Sequence, residues 1–364
     1  MNEEKKVAVL KGGPSLERQV SLRSGAHAQE ALVRLGHEVL ALDVGPELVP
    51  ELRAQQPDAA FIALHGRDGE DGTVQALMEA IGIPYTGSGP AACARCTDKA
   101  LAKYLMREAG VPTLDFHFLR EPSVRQLGAA HAVADIEGRL GFPLVVKPAS
   151  QGSALGVKFA RASDQLPSAM VGAFSYDDKI LIERYAKGRD LAVSVLDGPA
   201  TDSTRSPPGR TGARRAAPFA LPVVEAVPRE EDFYDYESRY EIGMTTFVCP
   251  AELEADTAAR AQGLAMEVYT LLGCHGVARV DLMLEAGSDD LWVLEINVVP
   301  GLTETSLLPQ AADAAGIGFD ELTARVLASA WTRLASLRVR RRRTLARAGW
   351  QAGLLGVAGG EVLG

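Results

Sequence analysis

Two runs in the last quarter of the chain carry more charge than a strand pair needs: VARVDLML and, after the turn-like EAGSDD, LWVLEINVVPG. Side chains alternate faces along a strand, so Arg279 and Asp281 share one face while Val280, Leu282 and Leu284 take the other. On the second run Glu295 and Asn297 share a face, with Trp292, Leu294 and Ile296 opposite. If the two form a hairpin that pairs Asp281 with Glu295, Arg279 falls opposite Asn297, because paired residues project from the same side. One face then holds three oxygen donors and a cation. Carboxylate and amide oxygens suit Mg²⁺, which also takes phosphate oxygens and water, so the pattern reads as a metal–nucleotide site. The plainer alternative is a solvated face on which Arg279 and Asp281 merely pair. The strongly apolar character of the rest of both runs argues against it.

Three further stretches offer groups for an anion and an ammonium. In KPASQGSALG, after the strand-like LVVK, Lys147 supplies a point charge, and Gly152 and Gly156 let backbone N–H groups approach phosphate oxygens beside Ser153. The run lacks G-x-x-x-x-G-K-[ST] and is not a Walker A loop; by itself it reads equally well as a Gly-rich hairpin. Lys99 opens a helical pattern, where a lysine is most often solvated. In LKGGPSLERQVS, Ser15 and Glu17 stand near a helix start, without the G-x-G-x-x-G of a dinucleotide site. An acid there suits an ammonium group or simply complements the helix dipole.

These residues need a scaffold, and the chain alternates the right elements. KVAVL, EVLALDV and AAFIALHG are strand-like and separated by helical patterns, one of which ends near Gly36, which implies a parallel sheet covered by helices. From Thr97 the helical DKALAKYLMREAG leads to VPTLDFHFL, a second helix candidate and the strand FPLVVKP, opening a second α+β unit. KILIERY and DLAVSVL follow. PATDSTRSPPGRTGARRAAP is too rich in Pro, Gly and polar residues for a core and reads as an exposed loop. Strand and helix patterns resume at PFALPVVEAV and DTAARAQGLAMEVYTLLG and finish near Trp331.

Composition narrows the function classes. A net charge of −9 argues against a nucleic-acid surface. No run approaches a membrane-spanning length and MNEEKK lacks a signal-peptide core, so a cytoplasmic protein is expected. Four cysteines in 364 residues make no disulfide framework, and Cys93, Cys96, Cys249 and Cys274 read as thiols. Arg338 and Arg340 to Arg343 precede a Gly-rich end that reads as a solvated tail.

Taken in order, VLKGGPSLERQVSLRSG, ALHGRDGEDGTVQ, PYTGSG, the TDK at Thr97, KPASQGSALGVKF, LIERY, FYDYESRY, ARVDLML and LEINVVPGLTETSLLPQ resemble the D-alanine–D-alanine ligases of the ATP-grasp superfamily over roughly residues 5 to 330. The resemblance implies an α/β (α+β) ATP-grasp fold: an N-terminal parallel-sheet domain (1–96), a central subdomain (97–186) and a catalytic subdomain (187–332) with an insert at about 197–218, then a tail (333–364). ATP would lie between the last two sheets. Lys99 and Lys147 would contact phosphates, Glu183 the adenine amino group and Asp190 the ribose, while Asp281, Glu295 and Asn297 would hold two Mg²⁺ ions, or Mn²⁺. Arg279 and the Gly301 N–H would stabilise an oxyanion. Glu17 would anchor the first D-alanine's ammonium near His65, and Ser306 and Leu307 would receive the second substrate's carboxylate. Ser153, Tyr240 and Glu17 would close a loop over the site, with Arg239 beside Tyr240. A homodimer is also implied.

The chain departs from the family's pattern at four places. Asp190 is one methylene shorter than the usual glutamate, Arg239 replaces a more common lysine, Val298 replaces a frequent threonine, and the stretch from Asp197 to Pro218 lengthens a short turn. None removes a proposed metal ligand or Arg279. A ligase taking D-lactate or D-serine second, and a nucleotide-binding protein without catalysis, are the alternatives to D-alanyl-D-alanine synthesis for peptidoglycan precursors. A nicotinamide-dependent oxidoreductase is discounted by the missing fingerprint.

Overall fold

KVAVL becomes a wholly interior strand because both of its faces are covered: Val7 and Val9 pack on one side, Ala8 and Leu10 on the other, all with no exposed surface. The computed structural model describes residues 4–127, 133–198, 217–228 and 245–333. The expected insert (apart from its first and last residues), Arg239, Tyr240 and the tail beyond 333 lie outside them. Strand β1 (Lys6–Lys11) is followed by α1 (Arg18–Arg34), β2 (Glu38–Asp43), α2 (Leu48–Gln55), β3 (Ala59–Ile62), α3 (Thr73–Ile81) and α4 (Pro90–Thr97). The three strands pair in parallel in the order β2-β1-β3, as alternation with helices requires.

The Asp98 carboxylate accepts the Leu101 N–H (3.0 Å) and so starts α5 (Lys99–Glu108), which sets Lys99 in its first turn. Then come β4 (Phe116–Arg120), α6 (Glu121–Gln126), α7 (Val133–Leu140), β5 (Leu144–Pro148), β6 (Lys158–Ala160), α8 (Leu166–Phe174) and β7 (Lys179–Arg184). These strands form an antiparallel sheet, β4-β7-β5-β6, with a core of its own: Leu144, Val146, Ile180 and Ile182 against Ile136 of α7 and Leu166, Ala169 and Met170 of α8.

The third sheet takes β8 (Gly188–Leu196), β9 (Phe219–Ala220), β10 (Val224–Pro228), β11 (Thr245–Val248), β12 (Val277–Glu285) and β13 (Leu291–Asn297), in the order β11-β10-β8-β12-β13 with β9 on β8. One face packs Val193, Val195, Val280, Leu282 and Val293 against Ala261, Ala265 and Val268 of α9 (Ala255–Leu271). After β13 the chain forms α10 (Leu307–Ala314) and a last helical stretch over 319–333. Both pack Leu308, Leu322 and Val326 onto the N-terminal sheet at Val7, Val9 and Phe61, so the first and third sheets share one core.

All four cysteines are thiols; Cys96 and Cys274 approach within 3.6 Å, buried between α4 and the start of β12. Among the described residues no helix is long and apolar enough to cross a membrane.

Candidate active site

The face of the third sheet turned from α9 carries the charged residues. Strands β12 and β13 pair antiparallel with Arg279 opposite Asn297 and Asp281 opposite Glu295, the register that alternation and pairing anticipate. Beyond Asp281 the register shifts, and this corrects one expectation. Trp292 and Leu294 do not join Ile296 on the far face; they pack with Met283, Leu114 and Ala186 on the site's side, while Val293 is the residue buried behind. The extra residue of a β-bulge reverses the alternation from that point. An apolar wall is thereby set beside the acids, at the seam between the second and third sheets.

Arg279 donates from Nε and Nη2 to the two oxygens of Asp281, at 2.7 and 2.8 Å. Lys99 reaches across from α5 to Glu295 Oε2 at 3.3 Å and donates to the Gln151 carbonyl at 2.6 Å. The Asn297 side-chain oxygen accepts the Val299 N–H at 2.8 Å. Burial pushes the Asp281 carboxyl up despite Arg279; burial acts on Glu295 too, but Lys99, Lys147 and Arg279 outweigh it and hold that carboxyl below its ordinary value. Among the described residues no group of three or more His, Cys, Asp or Glu gathers as a metal cluster. The donor set is two carboxylates and an amide oxygen, and both carboxylates lean on side-chain cations. Such a donor set could hold a hard cation that a ligand's phosphate oxygens complete.

On the second sheet Glu183, 2% exposed on β7, lies between two lysines, with Lys147 on Oε2 and Lys103 at 2.5 Å from Oε1. Burial raises a carboxyl, but the two ammonium groups outweigh it and Glu183 titrates below its ordinary range. Asp190 stands on β8 opposite Met283, on the same face as Asp281.

Glu17 immediately precedes α1, and its N–H is held by Ser15 Oγ at 3.2 Å. The loop after β5 folds over it. Ser153 Oγ donates to Glu17 Oε1, and Gly152 and Gly66 sit so close that an added Cβ would lie 2.9 and 2.7 Å from Glu17 Oε2. Burial, then Glu70, raise the Glu17 carboxyl; Ser153, His65 and Lys99 oppose them. His65 is buried, with Nε2 at 2.9 Å from Ser24 Oγ and Nδ1 at 3.5 Å from Glu70. Ser24 also accepts the Leu302 N–H at 3.1 Å, which ties the His65 loop to the segment after β13. There Gly301 lies so near Ser306 that a Cβ would be 2.6 Å from its hydroxyl, and Ser306 Oγ, just before α10 begins at Leu307, accepts the Thr303 N–H at 3.0 Å.

Of the sequence-predicted residues, Lys99 is joined to Glu295, Arg279 to Asp281, Lys147 to Glu183 and Ser153 to Glu17, whereas Leu307 packs on the core shared by the first and third sheets, and Arg239 and Tyr240 lie outside the described residues. Lys103, Ser24 and Glu70 were missed. Lys103 carries a faint signal: it falls one turn after Lys99, on the helix side that also holds Ala102 and Met106.

A family described as "D-ala D-ala ligase C-terminus" matches residues 105–328, well over half of the chain, and "D-ala D-ala ligase N-terminus" matches residues 46–88. This chain belongs to the D-alanine–D-alanine ligase family. The D-alanine–D-alanine ligase of Syntrophotalea carbinolica is 40% identical to it over 90% of this chain and 97% of its own length, and that of Moorella thermoacetica 40% over 88% and 98%. The fold matches a crystal structure of the ligase from Bacillus anthracis with a TM-score of 0.73 at 33% identity, covering 93% of this chain and 99% of that one. A structure of that ligase complexed with ATP matches with a TM-score of 0.71 at 31% identity, over 93% and 99% of the two chains. The ATP-grasp architecture expected for the family is therefore the fold described above, with parallel and antiparallel sheets in succession.

Proposed function

We propose that the chain couples ATP hydrolysis to the joining of two D-alanines, making D-alanyl-D-alanine for peptidoglycan precursors in the cytoplasm. The observation that carries this is the strand register that sets Asp281 against Glu295 and Arg279 against Asn297, with Lys99 at 3.3 Å from Glu295. Nucleotide and metal binding need those groups, and acyl transfer needs an arginine beside them. The carboxylate of the first D-alanine attacks the γ-phosphorus, ADP leaves, and the amine of the second attacks the acyl phosphate, expelling phosphate. Lys99 and Lys147 place the phosphates, Glu183 accepts the adenine amino group and Asp190 the ribose. Asp281, Glu295 and Asn297 would hold Mg²⁺ or Mn²⁺, which would supply charge neutralisation for the phosphoryl group. Arg279 and the Gly301 N–H stabilise the tetrahedral oxyanion. Glu17, next to His65, holds the first ammonium, and Ser306 and Leu307 hold the second carboxylate. The Ser153–Glu17 contact, joined by Tyr240 and Arg239, closes the loop and keeps water from the acyl phosphate.

The division into 1–96, 97–186 and 187–332 and a homodimeric assembly belong to the same reading; sedimentation of the purified protein tests the latter. Phosphate release with Mg-ATP and D-alanine, against L-alanine, followed by product mass, tests the activity. D-alanine-specific release with a dipeptide product is expected. ATP binding without D-alanine-dependent release would sink the proposal, and a mixed product with D-lactate or D-serine would redirect it.

A further inference from the structure

We infer that Lys103 is a positioning residue of the nucleotide site: a fixed counter-ion for Glu183 that leaves Lys147 free to turn to phosphate. The inference rests on the proposed role of Lys147 at the phosphates.

Glu183 is contacted by two ammonium groups whose surroundings differ. Lys103 is wholly buried and cannot reach a nucleotide. Its Nζ is 2.5 Å from Glu183 Oε1 and donates to Thr113 Oγ1, also at 2.5 Å; Thr113 in turn donates to the Val293 carbonyl at 2.8 Å. The Phe116 ring lies 5.4 Å away on another side. Lys103 is thus anchored between β7 and β13, the strand that carries Glu295. Lys147 is the last residue but one of β5, just before the Gly-rich loop, and keeps 11% of its side chain exposed.

The charges explain why two lysines are needed. If Lys147 alone faced Glu183, moving its ammonium to a phosphate would strand a carboxylate that is 2% exposed, and an unpaired buried charge costs far more than the pair contributes. With Lys103 in place the carboxylate stays neutralised when Lys147 leaves. It also stays ionised and able to accept a hydrogen bond from an amino group.

The test measures binding of a non-hydrolysable Mg-ATP analogue and of adenosine by calorimetry to the full chain and four variants. Lys103→Met should weaken analogue binding by about tenfold or more while adenosine binding holds, because Lys147 is then kept by Glu183. In a Glu183→Gln background the same Lys103→Met change should cost nothing, since no charge remains to be neutralised. That comparison stands even if the single variant fails to fold. Equal loss from Lys103→Met in both backgrounds, parallel loss of adenosine binding, or unchanged analogue binding would each overturn the inference. Lys147→Met serves as the separate check: if it leaves analogue binding intact, the role assigned to Lys147 fails, whatever Lys103 does.

Discussion

Arg279 spends both of its paired donors on Asp281, so its position is set by a bidentate pair that a lysine cannot reproduce. Given its proposed role as oxyanion donor, its replacement by methionine should lower kcat for dipeptide formation by roughly 10²–10³, the usual cost of losing one such donor, with little change in ATP affinity. Lysine should recover only a small part. Coupled ADP release at saturating ATP reads both, and a full-rate lysine variant would refute the geometric argument. At Glu17 the expected effect is one of pH. Its carboxyl is raised by burial and by Glu70, so the carboxylate proposed to hold the first ammonium is lost on acidification earlier than an ordinary glutamate would be. Glu70→Gln removes one raising charge, and the acid limb of kcat/KM for D-alanine should move to lower pH. A profile that stays put, or moves up, rules this out.

At the scale of elements, the loop between β5 and β6 places Ser153 and Ala154 in the left-handed region, at φ 47° and 56°, a conformation costly to residues with a Cβ. The loop adopts it while resting on Glu17, with Gly152 at the point of closest approach. Gly152→Ala should push the loop off Glu17, raising KM for D-alanine severalfold at nearly unchanged thermal stability; an unchanged KM would show that the loop closes by another route. Here the limits of sequence reading become physical. The elements themselves were legible, because strand and helix periods are local; alternation put Arg279 with Asp281 and Glu295 with Asn297, and the hairpin supposed to pair Asp281 with Glu295 is the one that forms. The bulge that turns Trp292 and Leu294 to the site side was not, since one extra residue leaves no mark in composition. Lys103 escaped for a related reason: whether a helical lysine is solvated or buried depends on a strand 80 residues away in the chain, where Glu183 stands. Lys147, Ser153 and Glu17 were singled out from residue type and local context, but their contacts are tertiary.

Over the whole molecule, Asp197 just after β8 gathers distant parts of the chain around the third sheet. It accepts from Tyr269 of α9 at 2.8 Å and from the Gly276 N–H at 2.9 Å, and pairs with His275 at 2.8 Å. Burial would raise this carboxyl, but His275 and these donors outweigh it and hold it at about 2. The native state therefore binds fewer protons here than the unfolded chain does. The stability this adds is present above the unfolded value, about 4, and is lost as pH falls toward 2. It amounts to about 2 kcal/mol. Asp197→Asn should flatten the fall in urea midpoint between those pH values while lowering stability at neutral pH; an unchanged slope would refute the assignment.

The core common to the first and third sheets divides the molecule differently from its chain order. What lies between them in sequence, the β4-β7-β5-β6 sheet with α7 and α8, keeps a separate core and is a guest spliced into a host made of both ends. Amide hydrogens of β1 and β12 should then exchange together, through a single large opening, although their residues are far apart in the chain. Those of β5 and β7 should exchange through a smaller opening that leaves the host intact. A nucleotide bound at the seam would make guest and host open as one, and slowed exchange in β5 and β7 would report its arrival before any chemistry begins.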